Sequence, residues 1–191
     1  MAVAQLVEAT ELLRGEPTAA PVVFDCRFSL AEQDRGRTLY LQGHIPGAHF
    51  LDLNRDLAGP EGVHGGRHPL PVPERFAMML AEYGVGRDTP VVAYDDSRLA
   101  GAARLWWLMR SMGYLPPKLL NGGYQAWLGA GGEPEFTVPA MRPRASLVRG
   151  EFSGHCDIDG VRTALELGAL LVDSREERRY QGLEEPIDPV A

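Results

Sequence analysis

The stretch Val22-Val23-Phe24-Asp25-Cys26-Arg27 is echoed 148 residues later by Leu170-Leu171-Val172-Asp173-Ser174-Arg175. Each copy is an apolar run that ends in Asp-x-Arg and leads into a charged helical segment. A recurring block of this kind constrains the fold more than any single motif, because whatever unit recurs must bury its apolar face in the same way twice. In the first copy Gly-His-Ile-Pro-Gly-Ala begins 18 residues after Asp25, and the same step from Asp173 arrives at Ala191. The second copy is therefore expected to stop where its own Gly-His-Ile-Pro would be due. Residues 149–191 are too few to close an independent core, so the remainder of a second domain, or another chain, is expected to complete it.

Between the two copies the chain alternates strand and helix signals. Helical periodicity covers Ala4 to Arg14, and the apolar strand "PVVFDC" follows a Pro-containing turn. A short strand "AHFLDL", a Gly/Pro-rich loop and the helix "PERFAMMLAEYGV" come next, with Gly84 as its stop. The strand "TPVVAYD" and the helix "GAARLWWLMRSMGY" follow, then a strand, a Gly-Gly turn and a short helix within "PKLLNGGYQAWLGAG". Alternation of this kind predicts an α/β fold, a central parallel sheet flanked by helices. The Pro-rich "EPEFTVPAMRPRAS" lacks periodicity. The expected division is a first domain over 1–135, a connector over 136–148 and the start of a second domain over 149–191.

Charge narrows the choice of partners. With 26 acidic against 19 basic residues the net charge is −7, which disfavours nucleic acid. The amino terminus lacks a leader pattern and no apolar run approaches membrane-spanning length, so no membrane association and a cytoplasmic location are expected. Cys26 and Cys156 belong to no CxxC or Cys/His set, which argues against a zinc site or a disulfide framework.

The Asp-x-Arg strand end, "GHIPGA", "GRHPLP", "YDD" leading to "ARLWW", "LNGGYQAWL" and "DSREERRYQG" together resemble the rhodanese domain. The 148-residue repeat resembles the tandem-domain sulfurtransferases, which include thiosulfate and 3-mercaptopyruvate sulfurtransferases. The resemblance implies a rhodanese-like first domain followed by an incomplete second copy. It also implies a cysteine in a loop of convergent backbone N–H groups beside a helix amino terminus, where a thiolate is favoured. That thiolate takes sulfur from a donor as a persulfide and passes it to a thiophilic acceptor such as cyanide, without a cofactor.

By this alignment the nucleophile position of the first domain falls on Asp95. A carboxylate cannot form a persulfide, and Asp96 adds charge that repels an anionic donor. Both aspartates read as helix-favouring residues at an inactive site, with the nucleophile expected in the second domain, outside this chain. Arg179 matches the family position whose guanidinium holds the donor's sulfonate or carboxylate, and it is the substrate-binding candidate; its structural alternative is an ion pair with Glu176 or a neighbouring acid. Arg175 reads as structural, like Arg27. The resemblance implies a second arginine shortly after the "EEP" segment in mercaptopyruvate-specific relatives; here that stretch reads Ile187-Asp188, which leans towards thiosulfate as donor.

Other candidates read as structure. Cys26 is a small buried residue at a strand end, and Cys156 and His155, being adjacent, point apart. His44 holds a turn. His64 and His68 are separated by "GGR", which spoils a helical metal face, so no metal is expected. Trp106 and Trp107 pack a helix onto the sheet and a partner domain. Gly122-Gly123 lacks dinucleotide-binding spacing. The rival functional reading is a binding or regulatory rhodanese-like module that never carried a nucleophile. A phosphatase would need a C-x5-R loop; the spacing occurs only from Cys156 to Arg162, with two acids inside it that repel phosphate.

Overall fold

The structure is a computed structural model that describes residues 4–15, 20–63, 66–141 and 143–187. The chain folds as two compact units, Met1–Ser153 and Gly154–Ala191.

In the first unit five strands form one parallel sheet in the order β1 (Leu6–Val7), β5 (Lys118–Leu120), β4 (Val91–Tyr94), β2 (Val22–Asp25) and β3 (His49–Phe50). All four residues of β2 and of β4 are buried, as a strand covered on both faces requires. Side chains alternate between the two faces. Val22 and Phe24 of β2 and Val91 and Ala93 of β4 join one core with α3 (Pro73–Glu82) and α4 (Ala100–Ser111), while Val23, Val92 and Tyr94 join a second core with Ile45, Ala48 and α5 (Gly123–Gly129). The expected α/β architecture is thus present.

The helix expected over Ala4 to Arg14 is corrected. Leu6–Val7 is an edge strand, and only α1 (Ala9–Arg14) is helical. Leu119 N–H donates to the Gln5 carbonyl and Asn121 N–H to that of Val7, both at 2.9 Å. Those bonds come from residues more than a hundred positions away, and no local periodicity reports them. Gly84 stops α3 as read: its φ is +76°, and Val85 N–H returns to the Leu80 carbonyl at 2.9 Å.

The connector does not leave the first unit where expected. Ala145 N–H donates to the Ala81 carbonyl at 2.9 Å, and Ser153 N–H to that of Ser111 at 3.2 Å. Phe152 is buried and stacks on Trp107 at 6.2 Å between ring centres. Trp107 therefore packs against its own unit, and that unit closes at Ser153.

The second unit carries α6 (Ile158–Glu166), whose cap is Asp157 accepting from Gly160 N–H at 2.8 Å, and α7 (Glu177–Tyr180). The echo "LLVDSR" is not a strand here; Leu170, Leu171 and Val172 stand 86%, 67% and 70% exposed. A strand needs a neighbour for its backbone N–H and C=O groups, and among the described residues of this unit there is no other strand.

Burial also shapes the alkaline limit of stability. Tyr40 and Tyr114 are each pushed up to about 12, mainly by burial, and burial first, with Asp25 next, holds Tyr94 well above its ordinary range. The unfolded phenol ionises near 10, so stability is constant below that pH and falls as pH rises from 10 towards 12. Tyrosinate absorbance should then rise with the loss of helical circular dichroism. Gradual ionisation of these three phenols well before unfolding would contradict the burial.

Candidate functional site

Sheet order places the topological switch between β2 and β4, because the connections from these two strands leave in opposite directions. In open α/β sheets such a crevice, at the carboxyl ends of the strands, is where ligands bind. Here it is flanked by the segment after Asp25 and the loop after Tyr94.

Asp95 closes that second loop from within. It is 1% exposed. Its Oδ1 accepts from Ser97 N–H at 2.8 Å and Leu99 N–H at 3.0 Å, and Oδ2 accepts from Ala102 N–H at 2.9 Å. Arg98 and Leu99 adopt φ of 56° and 68°, a left-handed turn uncommon for residues with side chains, which brings these amides round one point. The loop is an anion cradle at a helix amino terminus, and the protein's own carboxylate fills it. Asp96 lies outside, its side chain not buried with that of Asp95. Gly123 makes the site compact: a Cβ there would collide with the Asp95 carbonyl, which accepts from Tyr124 N–H at 3.1 Å.

The other flank is held by a buried ion pair. Arg27 donates to both oxygens of Asp25, with Nη2 to Oδ2 at 2.6 Å, and also to the Gly43 carbonyl at 2.7 Å. Tyr94 Oη donates to Asp25 Oδ2 at 2.8 Å, and the guanidinium lies 4.3 Å from the Tyr124 ring centre. Burial raises Asp25 despite Arg27. At Arg27 burial is the largest influence and pulls down, but the bond to Asp25 and the fields of Asp25, Tyr94 and Asp96 together outweigh it and the guanidinium ends raised. The pair serves as scaffold, tying the end of β2 to the Gly43 carbonyl. His44 belongs to the same frame: its Nδ1 contacts the Tyr40 carbonyl at 2.9 Å, its ring stacks on Tyr40, and its backbone pairs with Glu135. It holds the turn, as expected.

The same clasp recurs in the second unit. Arg175 N–H and Nε both reach Asp173 Oδ1, at 2.9 and 3.2 Å, as Arg27 N–H and Nε reach Asp25 Oδ1 at 3.0 Å each. The two Asp-x-Arg sequences thus make the same local hydrogen bonds. The electrostatic outcome is opposite: hydrogen bonds from Arg175 hold the solvated Asp173 below its ordinary range, whereas burial raises Asp25. Arg179, on α7, faces Glu185 through a bidentate pair at 2.8 and 2.9 Å from Nη2. This acid lies six residues on. Asp188 and His64 lie outside the described residues.

Cys26 is buried, and burial first, then Asp25, Asp95 and Asp56, push its thiol well above the usual range. A thiol so placed is neither acidic nor accessible. Cys156 is exposed. Iodoacetamide is expected to label Cys156 in the folded chain and Cys26 only after unfolding, read by peptide mass mapping; early labelling of Cys26 would contradict its environment. Among the described residues no group of three or more His, Cys, Asp or Glu is placed to hold a metal ion, and no helix is long and apolar enough to cross a membrane.

Sequence reasoning missed one cluster. His68 Nε2 meets Asn54 Oδ1 at 2.8 Å, and Arg104 of α4 donates to the carbonyls of Leu57, His68 and Pro69 at 3.1, 2.9 and 3.0 Å. These residues come together only when α4 docks, so nothing in local spacing signals them.

An open parallel sheet with a carboxylate-filled anion cradle after its central strand defines an open α/β domain. Similarity to known proteins gives the family: the Rhodanese-like domain matches residues 7–130, and the chain belongs to that family. It is 41% identical over 201 aligned residues to a probable 3-mercaptopyruvate sulfurtransferase of Pseudomonas aeruginosa, covering all of this chain and 68% of the relative. It is 36% identical to a putative thiosulfate sulfurtransferase of Mycobacterium tuberculosis, covering 97% of this chain and 66% of that protein. A 3-mercaptopyruvate sulfurtransferase from Leishmania major superposes with a TM-score of 0.81 at 29% identity, over 93% of this chain and 48% of that one. The chain therefore spans about two thirds of these two curated relatives.

Proposed function

We propose that this chain is the non-catalytic first domain, with the start of the catalytic second domain, of a tandem rhodanese sulfurtransferase. The whole protein moves a sulfane sulfur from thiosulfate or 3-mercaptopyruvate to a thiophilic acceptor such as cyanide. It does so through a cysteine persulfide in the second domain, beyond these residues. The observation that carries the reading is the cradle after β4, geometrically suited to an anionic sulfur and occupied instead by the Asp95 carboxylate. The first unit keeps the anion geometry and lacks a sulfur to place in it. The relatives' names span both donors, and the missing second arginine favours thiosulfate. Arg179 is the donor-binding residue in this reading, and the donor's anionic group displaces Glu185 from it.

Thiocyanate production tests this. The 191-residue chain is expected to give no turnover with thiosulfate and cyanide, whereas a longer form that adds the rest of a second domain turns over. In that longer form Arg179→Lys should raise KM for the donor with little change in kcat. Persulfide formation on the short chain, mapped to Cys26 or Cys156, would overturn the assignment. A longer form without turnover on either donor would favour the binding or regulatory module.

A further inference from the structure

The chain has two asparagines, Asn54 and Asn121, and the structure puts them in opposite chemical situations. An asparagine Cγ can be attacked by the backbone nitrogen of the next residue, which closes a succinimide ring. The attack needs that next amide to be free of a competing acceptor, and it is least hindered where the residue has no side chain. At Asn54 both conditions fail. The next residue is Arg55, whose N–H donates to Asp52 Oδ1 at 3.0 Å, and Asn54 Oδ1 is itself held by His68 Nε2 at 2.8 Å.

At Asn121 both are met. The next residue is Gly122, both residues are exposed, and among the described residues the Gly122 N–H has no acceptor. Asn121 is otherwise anchored. Its own N–H donates to the Val7 carbonyl at 2.9 Å, and its Nδ2 donates to Glu8 Oε1 at 2.8 Å. The one group left without a partner at this corner is thus the nitrogen that the ring closure uses.

We propose that Asn121 is a self-modification site of the folded chain, converted to aspartate and isoaspartate through Gly122, with Glu8 as its brake. Hydroxide takes the Gly122 amide proton, the nitrogen bonds to Asn121 Cγ, and the Cγ–Nδ2 bond breaks. The departing nitrogen takes a proton from water and leaves as ammonia, which restores the hydroxide. Water then opens the succinimide at either carbonyl, so no oxidant or reductant is needed. Glu8 slows the step because its carboxylate holds Nδ2 and with it the side-chain rotamer. Either product loses the donor to Glu8 and faces it as a like charge. Isoaspartate also adds an atom to the main chain directly before Gly122 and Gly123. Gly123 lies so close to the Asp95 carbonyl that a Cβ would collide with it, and Tyr124 N–H donates to that carbonyl at 3.1 Å. The modification therefore reaches the Asp95 loop.

The test is ageing of the folded 191-residue chain in mildly alkaline buffer, followed by peptide mass mapping with the aspartate and isoaspartate peptides separated by chromatography. Conversion is expected at Asn121 while Asn54 stays intact, and the aged chain should unfold at a lower urea midpoint than fresh protein. Glu8→Ala, a change at an exposed side chain, should speed the conversion severalfold. An Asn121 that converts in the urea-unfolded chain yet persists in the folded one would overturn the proposal, as would equal conversion at Asn54. A rate unchanged in Glu8→Ala would overturn the role given to Glu8.

Discussion

Arg27→Met is expected to destabilise the first unit by about 4 kcal/mol, the cost of stranding one member of a buried ion pair. Asp25 is 0% exposed and Arg27 3% exposed, so water cannot replace the lost guanidinium. The substitution also removes the bond to the Gly43 carbonyl, which anchors the Gly-His-Ile-Pro turn, and the stacking on Tyr124. The sign of the pH dependence is a further check. Burial already holds Asp25 above its ordinary 3.8, and removing Arg27 raises it more. The folded variant then binds a proton more tightly than the unfolded chain, so its deficit should shrink as pH falls from about 7 to about 5. Urea denaturation at both pH values measures this. A deficit under about 1 kcal/mol at neutral pH would mean that the pair is not the scaffold described. Arg175→Met, in the solvated copy of the clasp, should leave the first unit's unfolding midpoint unchanged.

Asp95→Ala is expected to cost about 3 kcal/mol, since three backbone N–H groups lose their acceptor. Water can reach those of Ser97 and Leu99, whereas the Ala102 amide is buried, so the full desolvation penalty falls mainly on one donor, with a smaller loss for the other two. Asp95→Asn keeps one acceptor oxygen and should cost roughly half as much. Urea midpoints of the two variants measure the difference. Equal and negligible losses would show that the loop holds its left-handed turn without the carboxylate, and the occupied cradle would lose its meaning for function.

Much of this fold was legible because its signals are local. The short runs at Val22–Asp25 and Val91–Tyr94, apolar up to their last residues and bounded by turn signals, read as buried strands, and Gly84 reads as a helix stop. The edge strand Leu6–Val7 was not legible, since two residues carry no period and their pairing comes from β5. The end of the first unit was misplaced for the same reason: Phe152 belongs to it through Trp107 and Phe76, which are distant in sequence. The segment at Leu170–Val172 shows the converse, strand-like composition without a neighbouring strand to pair with.

At the site, the sequence by itself determined which atoms are available. It put a carboxylate at position 95, a thiol at 26 and an Asp-x-Arg clasp twice over, and the covalent chemistry open to those positions follows from residue type alone. The tertiary structure decided what those atoms meet. Three amides converge on Asp95 because Arg98 and Leu99 turn left-handed. Identical clasps at Asp25 and Asp173 acquire opposite proton affinities because one is buried and the other solvated. Arg104 gathers the carbonyls of residues 57, 68 and 69 around one guanidinium. Local preference acts over a few residues, whereas burial, convergence of donors and electric field depend on distances in space that only the docked helices and the closed sheet set.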